Sequence, residues 1–199
     1  MSNPIGLERL PADLSASLAA CASALSGCAS QLDQVLARAD TPALEQLGQL
    51  RGDCGVAVSE LLAAVRWSRR AGPDRPRLAE LARSADRTAE AIESAAWAWT
   101  RHPIPELADV LRALRDATRA AARAVDALED EEHRMVWGAR CRERVAEANF
   151  LARAARGALL ARQDDVHLAA AAYDLLTYAE LWVAAVSRLR AAVLRCSLA

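Results

Sequence analysis

The sequence predicts an all-α fold of six long antiparallel helices, arranged as two tandem three-helix bundles, and three observations carry that expectation. Alanine fills roughly a quarter of the 199 residues and aromatic residues only 4%, with Leu, Arg and Glu supplying most of the helix-forming remainder. Prolines and glycines cluster between long stretches in which apolar residues recur every three or four positions. The connections between those stretches are short, which sets successive helices side by side in opposite directions.

The first helix is expected to start after Pro11, which suits a first-turn position. It runs to about Asp40 with Leu14, Leu18, Cys21, Leu25, Cys28, Leu32 and Val35 on one face. Their alternation by four and three makes Cys21 and Cys28 core residues on a seam. The second helix begins at Thr41-Pro42, a cap followed by a first-turn proline, and reaches about Arg70 with Leu44, Leu47, Cys54, Val58, Leu61 and Val65 inward. Gly72-Pro73 ends it. The third runs from about Asp74 to Arg101 on Leu78, Leu81, Ala85, Ile92 and Trp99.

His102-Pro103-Ile104-Pro105 forces an extended break, because a residue before proline avoids the helical region. The fourth helix, Glu106 to about Leu128, turns Leu107, Leu111, Leu114, Val125 and Leu128 inward. Glu129 to Glu132 opposes the dipole at a helix end and favours a helix start, so a boundary belongs there. The fifth extends to about Arg162 through Val145, Ala148, Ala152, Ala155 and Leu159. The sixth is capped by Asp164 or Asp165 and carries Leu168, Ala172, Leu175, Ala179, Trp182, Val186, Leu189 and Val193. Residues 1–199 therefore read as one helical domain with related halves at about 11–102 and 105–199.

Composition narrows the function classes. With 25 basic and 26 acidic residues interspersed and a net charge of −1, there is no basic field for nucleic acid. Apolar stretches are broken by charge before the ~20 residues of a membrane span, so no span is predicted. The first ten residues lack a basic segment followed by an apolar run, which argues against secretion and for the cytoplasm. Five cysteines without C-x-x-C spacing argue against disulfides and structural zinc. The three histidines fall at helix boundaries, facing solvent, and no nucleophile stands beside a base. No enzyme is predicted.

Polar residues at i,i+4 point the same way from a helix, and four such positions recur: Gln49 with Asp53, Asp86 with Glu90, Glu143 with Glu147, and Leu176 with Glu180. A constant separation of 94 positions relates Gln49 to Glu143, Asp53 to Glu147 and Asp86 to Glu180, which suggests an internal duplication. Two intact carboxylate pairs suit a metal or a basic partner. The competing reading is a self-compensated, solvated face: Arg83 and Arg87 flank Asp86, Glu90 and Glu93, and Arg140, Arg142 and Arg144 surround Glu143 and Glu147.

Gly48, Gly52 and Gly55 each cost about 1 kcal/mol inside a helix. They imply close approach by a neighbouring helix or a kink. Trp67, Trp97, Trp99, Trp137 and Trp182 are placed so that several could meet at one end, and Trp97 and Trp99, two apart, cannot share a face.

At Leu47-Gly48-Gln49-Leu50-Arg51-Gly52-Asp53 and over Leu81 to Glu93 the chain resembles the PhoU-like superfamily, in particular its branch of accessory proteins of low-affinity phosphate transporters. The closing helix from Tyr173 to Arg195 is similar as well. The resemblance implies a cytoplasmic, non-enzymatic accessory or regulator of phosphate or related ion transport. Its partner would be a membrane transporter or signalling protein, and homo-oligomers are compatible with it. It also implies iron, zinc or another divalent metal on the acidic surfaces, at Gln49, Asp53, Asp86, Glu90, Glu143, Glu147 and Glu180, with Leu176 replacing one acid. The rival readings are an all-α, Mg²⁺-dependent nucleotide pyrophosphatase and a plain helical scaffold or dimerisation module.

Overall fold

The computed structural model describes residues 10–68, 75–160 and 166–196. Six helices make up the order α1 (Ala12–Arg38), α2 (Thr41–Trp67), α3 (Arg75–Arg101), α4 (Pro105–Asp126), α5 (Glu131–Leu160) and α6 (Val166–Arg195). The expected signals at Gly72-Pro73, Asp74, Arg162, Asp164 and Asp165 lie outside the described residues. All seven positions of the α1 seam are buried, as are Leu78, Leu81, Ala85, Ile92 and Trp99 on α3.

Local chemistry sets the boundaries. Proline at the second position of α2 has no N–H to lose, and the cap is Asp40, whose Oδ1 accepts from the Ala43 N–H at 3.0 Å. The expected cap, Thr41, is the first helical residue instead. Ala39 takes up the left-handed conformation, φ 50°, that closes α1 and allows a two-residue turn. Gln31 reinforces that turn from the buried side, donating to Ala43 O at 3.2 Å and to Gln46 Oε1 at 3.1 Å. The acidic run does open α5: Asp130 accepts the His133 N–H at 3.0 Å and pairs with its ring at 2.7 Å. The backbone bond first, and then the ring, hold the Asp130 carboxyl below its ordinary pKa.

Helices α1, α2 and α3 pack against one another as one bundle, and α4, α5 and α6 as a second. The two are joined broadly, α1 lying along α4 and α3 along α6, so these four helices form a shared centre with α2 and α5 on its outside. One hydrophobic cluster runs through all six helices. Polar ties cross between the bundles. Asp33 of α1 receives Arg115 and, at 3.1 Å, Arg119 from α4, and Arg195 of α6 meets Glu80 of α3 at 2.7 Å. Burial disfavours the charge on Arg115, but the hydrogen bonds it donates to Asp116 and Asp33 outweigh that and raise its pKa.

Helix α1 is long and apolar enough to cross a membrane by length and composition, although no span was predicted. In this fold its apolar face is covered by α2, α3 and α4.

Gly48 and Gly52 of α2 do not serve close packing within the chain, whereas a Cβ at Gly55 would lie 3.2 Å from Nη1 of Arg51 on the same helix. A Cβ at Gly52 would meet nothing within 4 Å, and one at Gly48 would meet only Glu93 Oε1 at an ordinary 3.5 Å. Gly52→Ala is therefore expected to stabilise the protein by about 1 kcal/mol, raising the melting temperature by roughly 2–4 °C in a calorimetric scan. A lower melting temperature would mean that this glycine is needed for an approach by something other than the chain itself.

All five cysteines are buried. Loss of solvent, with smaller contributions from neighbouring groups, pushes Cys21, Cys28 and Cys141 up to about 12 and Cys54 up to about 11. Thiolate, the reactive form, is then scarce at neutral pH. Native protein should react with a thiol reagent only as fast as it opens, and denatured protein at once. Prompt native labelling at any of these four positions would contradict the burial.

Candidate functional site

The sequence points to the outward faces of α2 and α3, and the structure distributes the expected residues over three directions. Gln49 and Asp53 stand exposed on α2. Between them in sequence, Arg51 reaches across to α3 and pairs with Asp86, Nη2 to Oδ1, at 2.9 Å. Glu93, two turns on from Asp86, lies over Gly48. Glu90 turns away from α2 and, with Arg87, lines a groove of about 330 Å³ between α3 and α6. The i,i+4 pair is thus split between two helix interfaces.

The second half behaves alike. Glu147 accepts from Arg144 of its own helix at 2.6 Å. Glu180 of α6 is held by Arg156 of α5. Leu176 is buried in a groove of about 510 Å³ between α5 and α6, beside Leu159 and Tyr173. Glu143 lines a separate groove of about 360 Å³ between α4 and α5, among Arg119, Arg123, Arg140 and Arg144.

These positions do not fit a divalent-metal cluster. Among the described residues no three of His, Cys, Asp and Glu come together as a ligand set. Where Asp86, Glu147 and Glu180 face a partner, that partner is a guanidinium. A metal centre needs several oxygens converging on one point, whereas here an arginine supplies the positive charge at Asp86, Glu147 and Glu180. The α2–α3 surface can offer hydrogen-bonding groups to another macromolecule. All three histidines are exposed, as expected from their boundary positions.

The tryptophans divide by environment. Trp182 and Trp99 are buried and Trp97 is 45% exposed, with Arg101 4.1 Å above its ring, so the two-residue spacing separates Trp97 from Trp99 as expected. They do not gather at one end: antiparallel packing sets Trp67, at the close of α2, opposite Trp97 and Trp99, at the close of α3. A grouping that the sequence did not suggest is Trp137 with two arginines over its ring, Arg123 of α4 at 4.4 Å and Arg140 of α5 at 4.8 Å. The i,i+3 relation of Trp137 and Arg140 was a visible signal, but nothing local announces Arg123.

Among the described residues there are six helices and no strand, and the fold is of the PhoU-like kind. It matches the solved structure of a protein from Shewanella oneidensis MR-1 described as a PhoU-like phosphate regulatory protein, with a TM-score of 0.69 over 92% of this chain and 97% of that one, at 16% sequence identity. No protein-family model matches the sequence, and no curated protein matches it.

Proposed function

We propose that the chain is a cytoplasmic, non-catalytic regulator of phosphate or related inorganic-ion transport, acting by docking a helical face on a membrane transporter or a signalling partner. The observation that carries this reading is the fold match, which runs through nearly the whole of both chains to a protein described as phosphate-regulatory. The outer helices support a binding role. α2 exposes Val56 and Trp67, and α5 exposes Met135, Val136 and Phe150, a density of large apolar side chains that favours protein contact.

The arginine partners of Asp86, Glu147 and Glu180 support a mode of action without iron, zinc or another divalent metal. The same pairing weighs against Mg²⁺-dependent nucleotide hydrolysis, which needs carboxylates gathered at one site. The test is affinity purification of the tagged chain from its own host, combined with phosphate uptake in a deletion strain. A transporter recovered with the chain and altered uptake without it are the expected results. Unchanged uptake with no transporter recovered would remove the proposal. Mg²⁺-dependent hydrolysis of a nucleoside triphosphate, lost on Asp86→Ala and Glu90→Ala, would replace it with an enzyme. Metal analysis of protein purified without chelator should find no stoichiometric metal.

A further inference from the structure

Four arginines line the groove between α4 and α5, and they are of two kinds. Arg119 and Arg144 are engaged by carboxylates, Arg119 by Asp33 at 3.1 Å and Arg144 by Glu147 at 2.6 Å. Arg123 and Arg140 have no ion-pair partner among the described residues and lie over the ring of Trp137 instead. Attraction to the ring holds a guanidinium through its charge and occupies none of its N–H donors with an acceptor oxygen, so those donors stay available to a ligand.

Two cations sharing one indole repel each other, and an anion reached by both removes that repulsion. The charge balance fixes the class of anion. Two unpaired forks call for about two negative charges and several acceptor oxygens, which a phosphoryl group supplies with its −1.5 to −2 charge at pH 7. A single carboxylate satisfies one fork only. The groove's volume of about 360 Å³ admits a small phosphorylated molecule or headgroup. Of its two acidic residues, Asp116 already accepts from Arg115 at 2.8 Å. Glu143 has no ion-pair partner among the described residues and would sit beside the bound anion as a like charge.

We propose that the α4–α5 groove binds a dianionic phosphoryl group between the Arg123 and Arg140 guanidiniums on Trp137. This site is independent of the transport reading and of the α2–α3 surface. A chain that recruits no transporter is still expected to bind here.

The full chain should be titrated calorimetrically with pyrophosphate at fixed ionic strength. A parallel arm floats it with phosphatidylcholine vesicles with and without phosphatidic acid, which distinguishes a soluble ligand from a lipid headgroup. Arg123→Gln and Arg140→Gln should each weaken binding about tenfold, as expected for loss of a charge-assisted hydrogen bond, and the double variant should abolish it. Glu143→Gln should tighten binding, a sign opposite to that expected of a metal ligand. Both arginines are exposed, so circular-dichroism melts should be unchanged; should one variant misfold, the other and Glu143→Gln still decide. Binding to phosphatidic acid vesicles alone, lost in the same variants, upholds the site with a lipid as its source. Binding to neither probe, binding retained in the double variant, or weaker binding on Glu143→Gln overturns the proposal.

Discussion

Trp182→Ala is expected to be among the most damaging single substitutions in the chain, at about 3–5 kcal/mol for removal of a buried tryptophan. Trp182 is fully buried on α6, and its Nε1 donates to Thr118 Oγ1 on α4 at 2.9 Å. The Thr118 hydroxyl, itself buried, gives its own proton to Leu114 O at 2.9 Å, so the indole is the donor its oxygen needs. Alanine there leaves both a cavity and an unsatisfied acceptor. At roughly 2–4 °C per kcal/mol for a chain of this size, the melting temperature should fall by on the order of 10 °C. Trp182→Phe separates the two contributions, because it keeps most of the volume and loses the donor. Its expected cost is about 1–3 kcal/mol. Equal losses for Phe and Ala would place the stabilisation in the hydrogen bond and not in packing.

The second large effect is expected at Arg134, a buried cation with no ion-pair partner among the described residues. Its Nη1 donates to Leu128 O at 3.1 Å and to Cys196 O at 2.6 Å. These carbonyls follow the last turns of α4 and α6, so the charge sits where two helix dipoles present their negative ends. Arg134→Met keeps the apolar stem but strips both acceptors of this donor, at about 2–4 kcal/mol by the cost of unsatisfied buried groups. Hydrogen exchange should show lost protection first in the final turn of α6. Arg134→Lys retains the charge and should recover much of the loss; its Nε counterpart is absent, and in the native protein that atom is buried without a partner. A Lys variant as unstable as Met would mean that the fork geometry, not the charge, is what matters.

Much of this architecture was legible because every helix but α5 buries nearly all of the apolar face that its spacing predicts. The α1 seam and the α4 face were readable residue by residue. Helix α5 was not: Val145, Ala152 and Leu159 are only half-buried, while Arg134, Gly138 and Cys141 are buried. Its inner face is made of small and polar groups, and Gly138 is so close to Leu194 that a Cβ would lie 3.1 Å from it. Apolar periodicity cannot register a face built that way. The candidate surface failed to be legible for a related reason. Spacing along one helix shows that Asp86 and Glu90 are neighbours, but not that Arg51 stands opposite one of them and α6 opposite the other. Partners across helices depend on axial register, which is set by packing and not by any local pattern.

The pairing of α1 with α4 and of α3 with α6 has a consequence during synthesis. The first three helices leave the ribosome as a bundle whose inner side is not yet covered, since the helices that cover it have still to be translated. At about 5–20 residues per second that interval lasts on the order of five to twenty seconds. Throughout it, the nascent chain presents an apolar surface that the finished protein never shows, so production of this protein should be more sensitive to chaperone supply and elongation rate than its purified form's refolding would suggest.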